Sequence, residues 1–185
     1  VNLIMDTFAA IALASLPPSE SVMHDKPRDR HAFIITPSMN RQIIGVGGFF
    51  FALLLGLLYL LEYASVSSMS DLLAWHGGGK RELTNHELSL FFTVFVMLQF
   101  WNMFNARAFA TGRSAFHFKD CGGFGMIALM VFVGQVFIVQ FGGRMFNVTP
   151  LSLADWFAII ASTSFVLWVG ELVRLLGRKR RSLWQ

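Results

Sequence analysis

One stretch of this sequence restricts the fold more than any other: the twenty residues from Gln42 to Leu61 carry no charge, and Arg41 and Glu62 flank them. A helix rises about 1.5 Å per residue, so a run of this length spans about 30 Å, the thickness of the hydrocarbon core of a bilayer. The sequence therefore predicts a transmembrane helix at this position.

Comparable apolar stretches recur along the chain between short polar connections. Nineteen uncharged residues lie between Glu87 and Arg107, and 23 lie from Cys121 to Gly143. With the apolar first residues and a stretch near the end, they predict an all-α polytopic bundle of five transmembrane helices. The predicted spans of this single domain, residues 1–185, are 1–16, 42–62, 88–106, 122–142 and 153–176. The glycines at 45, 47 and 48 would allow another helix to pack closely on the second span.

The composition agrees with a membrane protein. Hydrophobic residues make up 55% of the chain and charged residues only 14%, whereas about a quarter of the residues in soluble domains are charged. Cys121 is the only cysteine, so an internal disulfide is excluded. The chain begins at Val1 within a hydrophobic segment, without the charged region of a signal peptide, and we expect it to be a piece of a longer protein.

The basic residues are distributed unequally between alternate connections. Twelve of the 15 Lys and Arg residues lie in loops 17–41 and 105–120 and at the C-terminus, and three lie in the other two connections. By the positive-inside rule, both of these loops and the C-terminus are predicted to be cytoplasmic. This distribution explains the net charge of +4 without a nucleic-acid partner.

The first sixteen residues, VNLIMDTFAAIALASL, contain an amide at Asn2 and a carboxylate at Asp6. Residues four apart project from one face of a helix. With Pro17 at the membrane surface, Asp6 lies about 16 Å deep, near the middle of the hydrocarbon core. A carboxylate there is costly unless it is paired or binds an ion, and both side chains offer the hard oxygens that calcium prefers. Asn2 and Asp6 are therefore predicted ligands of a metal ion, and they form only part of its shell of six to eight oxygens.

Two other interpretations of this pair remain open: Asp6 neutralises a basic residue on a neighbouring helix, or Asn2 forms a hydrogen bond across a helix interface. A similar choice applies to Gln99, Asn102 and Asn105, which recur along one stripe of the third span. These amides either bond to neighbouring helices or, at Gln99, line an ion pathway.

Other polar residues in or near the spans are given structural roles. Glu171 and Arg174 are predicted to form a pair that anchors the end of the fifth span, and Gln135 and Gln140 are predicted packing amides. The glycines at 77–79 do not match a phosphate-binding loop, because Ala74 and Arg81 occupy two of its required positions. His76 and His86 lack the nearby partners of a zinc site.

Four segments carry a resemblance to a known family. VNLIMDTFAAIALASLPPSE resembles the sixth transmembrane helix and following loop of P-type ATPases, most closely the plasma-membrane (type IIB) calcium pumps. FVMLQFWNMFNAR, QVFIVQFGG and VGELV match the eighth, ninth and tenth helices in order. The resemblance covers nearly the whole chain, from the sixth helix to the end.

The resemblance implies an ATP-driven calcium pump that passes through a phosphoenzyme. The positions of Asn2 and Asp6 would then supply calcium ligands, together with a glutamate and backbone carbonyls of the fourth helix. The phosphorylated aspartate of the Asp-Lys-Thr-Gly-Thr motif is absent, so no catalytic residue is assigned and the segment alone is not expected to be active. ATP and magnesium are expected only in the missing domains. The implied partners are helices one to five, the phosphorylation, nucleotide-binding and actuator domains, and the lipid bilayer, with location in the plasma membrane.

Other P-type pumps and a membrane scaffold are the alternatives to this interpretation. Two-site calcium pumps and sodium/potassium pumps typically carry Thr one residue before the aspartate, and the two-site calcium pumps carry an acid in the eighth helix. Met5 and Gln99 occupy these positions, so the sequence favours one calcium per cycle with proton counter-transport. A membrane scaffold that binds no ion is the alternative from another class, and it gives no role to a carboxylate at mid-membrane.

Overall fold

The computed structural model describes residues 2–16, 31, 33–63, 82–109, 114–116 and 122–182, and at 2–5 and 177–182 it describes the backbone alone. Seven helices lie within these ranges. They are α1 (Asn2–Ala14), α2 (Pro37–Tyr63), α3 (Asn85–Arg107), α4 (Gly122–Phe141), α5 (Gly143–Phe146), α6 (Leu153–Thr163) and α7 (Phe165–Ser182). No strand occurs within these ranges, which confirms the predicted all-α class.

Four of the predicted spans are long and apolar enough to cross a membrane: α2, α3, α4 and the 24 residues Leu153–Leu176. The span predicted at 1–16 corresponds to α1, which has 13 residues and is shorter than a bilayer crossing requires. The structure is thus a helical membrane bundle with four candidate spans among the described residues, and the number five stays a prediction.

Helix starts follow local capping chemistry. Thr84 and Ser152 each accept a hydrogen bond from the backbone of the third residue of α3 and α6, while Glu87 and Asp155 bond back to the caps. Such reciprocal pairs satisfy backbone N–H groups that have no partner within the helix. α2 begins five residues before the predicted span because Thr36 accepts a hydrogen bond from the Met39 N–H at 3.2 Å and proline suits a first helical position.

The fifth predicted span consists of two helices that meet at Ser164. The Ser164 N–H still bonds to the Ile160 carbonyl at 3.1 Å, but the Leu167 N–H bonds only three residues back, to the Ser164 carbonyl at 2.9 Å. The hydroxyls of Ser162, Thr163 and Ser164 all bond to carbonyls of the preceding turn. These side-chain bonds compete with the regular helical ladder, which accounts for the break.

The third helix, α3, is the centre of the bundle. Half of its apolar window is buried, compared with 6% for α2. Its residues Leu90, Val94, Met97 and Leu98 form one core cluster with side chains from α2, α4 and α6. A second cluster joins Met103 of α3 to side chains of α1 and α4, namely Ala12, Phe124 and Ala128.

The second helix, α2, lies at the edge of the described bundle. Its buried residues, Leu57 and Leu61, are both near its C-terminal end. A Cβ atom built on Gly45, Gly47 or Gly48 would have no atom within 4 Å. The close packing expected at these glycines is therefore not made by any helix within the described ranges.

Candidate functional site

A cleft of about 420 Å³ lies between α1, α2 and α3, with Val131 of α4 on its wall. Its polar lining residues come from three helices, and apolar side chains form the rest of the wall. We call it the Asp6 cleft. Its polar residues are Asp6 from α1, Gln42 from α2, and Gln99 and Asn102 from α3.

The packing of α1 directs Asp6 into this cleft. Ala12 is completely buried in the cluster with Phe124 of α4. Six residues correspond to a rotation of about 120° around a helix axis, so Asp6 faces away from this contact. Ala9 and Leu13, which follow Asp6 along the same face, also line the cleft. Core packing on one side of α1 thus leaves the carboxylate exposed on another.

The structure brings Gln99 to the same cleft as Asp6, although 92 residues separate them along the chain. Asn102, one turn further along α3, lines the cleft as well. Asn2 lies one turn before Asp6, at the start of α1, and its side chain is outside the description. Two of the three predicted site residues therefore converge on one cavity.

The third member of the predicted stripe, Asn105, has a structural role. Its amide Nδ2 donates to the Val166 carbonyl at 2.8 Å, and its Oδ1 accepts from Arg174 Nη2 at 2.9 Å. Arg174 also forms the predicted ion pair with Glu171, with Nη2 and Oε2 2.8 Å apart. The pair therefore does more than anchor one helix end, because it fixes α7 to α3.

The same carboxylate also holds the chain that follows α3. The Ala115 N–H donates to Glu171 Oε2 at 3.2 Å, and the Ala115 carbonyl accepts from Arg107 Nη2 at 2.6 Å. The guanidinium of Arg107 lies over the Phe124 ring, 5.0 Å from its centroid. One end of the bundle is thus cross-linked through α3, α4 and α7.

At the other end, Gln140 and Ser89 fix the turn between α4 and α6. Gln140 pairs with both backbone groups of Leu151: Nε2 donates to the carbonyl at 3.1 Å, and Oε1 accepts from the N–H at 2.9 Å. Ser89 Oγ accepts from the Thr149 N–H at 2.8 Å. Gln140 therefore has the predicted packing role, because its side chain holds the backbone of Leu151 against the end of α4.

Two other residues that the sequence analysis names, Gln135 and His86, do not line the cleft. Gln135 is buried, and neither polar atom of its amide has a hydrogen-bond partner among the described residues. His86 is in the first turn of α3, and its Nε2 is likewise buried without a partner in this part of the chain. His76 and the glycines at 77–79 lie outside the described residues.

Sequence reasoning did not single out Gln42 as a lining residue. Gln42 is the first residue of the predicted second span and the one amide in the otherwise apolar run up to Leu61. An isolated amide in an apolar run is the sequence signal that could have identified this residue.

A second cavity, of about 650 Å³ between α2, α3 and α7, shares Gln42 and Asn102 with the Asp6 cleft and has a mainly apolar wall.

The cleft offers one negative charge and several neutral oxygens. Among the described residues, no group of three or more His, Cys, Asp or Glu side chains is arranged to hold a metal ion. A calcium ion needs six to eight oxygen ligands, so a complete site at Asp6 requires ligands in addition to the residues that line the cleft. A single carboxylate with amides suits a hard cation rather than zinc or copper.

Apolar helices long enough to cross a bilayer, packed around a cleft with one carboxylate, define a helical membrane bundle. The sequence matches the family model for the C-terminus of cation transporting ATPases over residues 1–176. The chain belongs to this family.

Individual relatives that match nearly the whole of this chain are plasma membrane calcium-transporting ATPases. The chain is 34% identical over 175 residues to plasma membrane calcium-transporting ATPase 2 of Oreochromis mossambicus, covering 94% of this chain and 15% of the relative. It is 35% identical over 175 residues to plasma membrane calcium-transporting ATPase 3 of Homo sapiens, covering 94% of this chain and 13% of the relative. With plasma membrane calcium-transporting ATPase 1 of Gallus gallus, identity is 32% over 183 residues, which cover 97% of this chain and 15% of the relative. The chain thus spans about one seventh of the length of these relatives.

Proposed function

We propose that this chain is the transmembrane part of an ATP-driven calcium pump and supplies part of its intramembrane calcium site. The observation that carries the proposal is the convergence of Asp6 and Gln99 on one cleft between α1, α2 and α3. The similarity to plasma membrane calcium-transporting ATPases supports calcium as the ion and the plasma membrane as the location.

Asp6 supplies the charge of the proposed site. Water is scarce at this depth of a bilayer, so a carboxylate and a divalent cation stabilise each other strongly. Asn2 contributes an amide oxygen from one helical turn away, and Gln99 lines the path of the ion. The remaining ligands come from other helices of the pump, where the resemblance implies a glutamate and backbone carbonyls.

The charge inventory supports one calcium ion per cycle. Two divalent ions a few ångströms apart repel strongly in a medium of low dielectric constant, and a second ion would need its own carboxylates. The neighbouring polar groups of the cleft, Gln42, Gln99 and Asn102, are all neutral. We further propose that protons are transported in the direction opposite to calcium.

The energy for transport comes from outside this segment. ATP hydrolysis, the magnesium it requires and the phosphorylated aspartate belong to the other domains of the pump, which are this chain's partners together with helices one to five and the bilayer. The distribution of basic residues supports a cytoplasmic position for loops 17–41 and 105–120 and for the C-terminus.

The test is Asp6→Asn in a full-length pump that contains this chain. The amide keeps the size of the side chain but removes its charge, so calcium-dependent phosphorylation by ATP should be abolished while insertion into the membrane is normal. Glu82→Gln is the matched control, because Glu82 is an exposed carboxylate outside the cleft. Near-normal calcium affinity in Asp6→Asn would contradict the proposal and favour the scaffold alternative.

A further inference from the structure

Gln135 is a buried amide with no partner in the described part of the chain. Its side chain is 2% exposed, and both Nε2 and Oε1 lack a hydrogen bond there. Gln140 on the same helix provides a contrast, because both of its polar atoms pair with Leu151. A buried carboxamide without partners destabilises a fold, and such a group in a native protein calls for a functional explanation.

The position of Gln135 follows from the way α4 packs on α1. A Cβ atom on Gly123 would lie 3.6 Å from Ser15 Oγ, near the end of α1. Further along α4, Val131 shares the cleft with Asp6. The two helices therefore run in opposite directions, and moving along α4 corresponds to moving back along α1.

One more turn along α4 leads from Val131 to Gln135, and one turn back along α1 leads from Asp6 to Asn2. Each step is about 6 Å, so the amide of Gln135 lies at the depth of the first turn of α1. The burial of Ala128, Val131, Gln135 and Val139 marks the inner face of α4, which carries Gln135.

We propose that Gln135 is a positioning residue for the calcium site: when calcium binds, its amide, which has no partner in the described part of the chain, bonds to the first turn of α1, where Asn2 lies. A carboxamide donates and accepts hydrogen bonds at the same time. It is therefore suited to bond a second amide or a helix backbone and to leave an oxygen of that partner for the ion. This inference rests on the proposed function, and it adds to the proposed calcium site a residue that does not line the cleft.

The test compares Gln135→Met with Gln140→Met in the full-length pump. For each variant, the unfolding midpoint is measured without calcium, and the affinity is measured with ⁴⁵Ca²⁺. Removing an amide that lacks partners should leave the midpoint of Gln135→Met unchanged or raised. Its calcium affinity should nevertheless fall about tenfold or more, as for other residues that orient metal ligands. Gln140→Met should show the reverse: a lowered midpoint and normal affinity.

A double-mutant cycle then tests the link to α1. Adding Gln135→Met to Asn2→Ala should cause little further loss of affinity, because both changes interrupt one interaction. If Gln135→Met does not insert into membranes, Gln135→Asn replaces it, since the amide is retained with a shorter reach; it too should lose affinity at a normal midpoint.

Unchanged calcium affinity in the variant that inserts would overturn the role of Gln135. Asp6→Asn distinguishes this result from a failure of the proposed function. If Asp6→Asn abolishes calcium binding while Gln135→Met or Gln135→Asn binds normally, only the inference about Gln135 is wrong. Normal calcium binding in Asp6→Asn would refute both.

Discussion

The amide of Asn105 on α3 lies directly against Gly170 on α7. A Cβ atom built on Gly170 would come within 2.6 Å of Asn105 Cγ and 2.7 Å of Nδ2. Only a residue without a side chain allows this approach, which places Asn105 within reach of both Val166 and Arg174. A glycine on one helix thus makes possible the polar connection between α3 and α7.

Gly170→Ala should therefore destabilise the bundle by about 1–3 kcal/mol, the usual cost of overpacking a well-packed site. Gly134→Ala on α4 is the control, because a Cβ atom there would meet nothing within 4 Å. Thermal unfolding in detergent measures both variants. Equal midpoints for the two would show that Asn105 moves aside without loss.

Gln99→Leu should weaken calcium binding less than Asp6→Asn does. Gln99 lines the Asp6 cleft but carries no charge, so its loss removes a neutral oxygen at most. We expect the affinity to fall by less than tenfold, which corresponds to less than about 1.4 kcal/mol. The measurement is the calcium dependence of phosphorylation. A loss as complete as that of Asp6→Asn would assign Gln99 a larger role than lining the path.

Single cysteines test the proposed orientation. Cysteines at Ser38 and Ser182 should react with an impermeant reagent only from the cytoplasmic side, and a cysteine at Gly78 only from outside, as the distribution of basic residues predicts. Replacing Cys121 by Ser removes the background thiol. Labelling of any of the three from the opposite side would contradict the five-span arrangement.

One calcium ion should bind per phosphoenzyme, and transport should drive protons in the opposite direction. The physical reason for one ion is the single carboxylate in the cleft, because a second divalent ion would need carboxylates of its own. A calcium-binding titration with pH recording in sealed vesicles measures both quantities. Two ions per phosphoenzyme, or transport without proton movement, would refute this stoichiometry.

Helix positions were largely predictable, because long uncharged runs leave few alternatives in a bilayer. The boundaries of the helices were harder to predict than their positions. The early start of α2 depends on Thr36 and Pro37, which lie in a polar stretch before the apolar run. The break at Ser164 depends on three adjacent hydroxyls that bond to their own helix, a competition that apolar periodicity does not reveal.

The site was predictable only in part for a related reason. A sequence pattern tells which residues share a face of a helix, but not which helix lies opposite. Gln99, Asn102 and Asn105 do share one face of α3, but they have different neighbours. Asn105 bonds to α7, whereas Gln99 lines the cleft together with Asp6 of α1. Whether Asn2 and Asp6 bind calcium stays a prediction.

The uneven burial of α2 has a mechanical consequence. Its buried residues, Leu57 and Leu61, are held in the core, whereas Gln42 lies on the cleft wall at the other end of the helix. The distance along the axis from Leu57 to Gln42 is about 22 Å. A tilt of about 5° around the held end would displace Gln42 by about 2 Å, the scale of a calcium–oxygen bond. Such a tilt of α2 would change the width of the cleft at Gln42, whereas Leu57 and Leu61 would stay in the core.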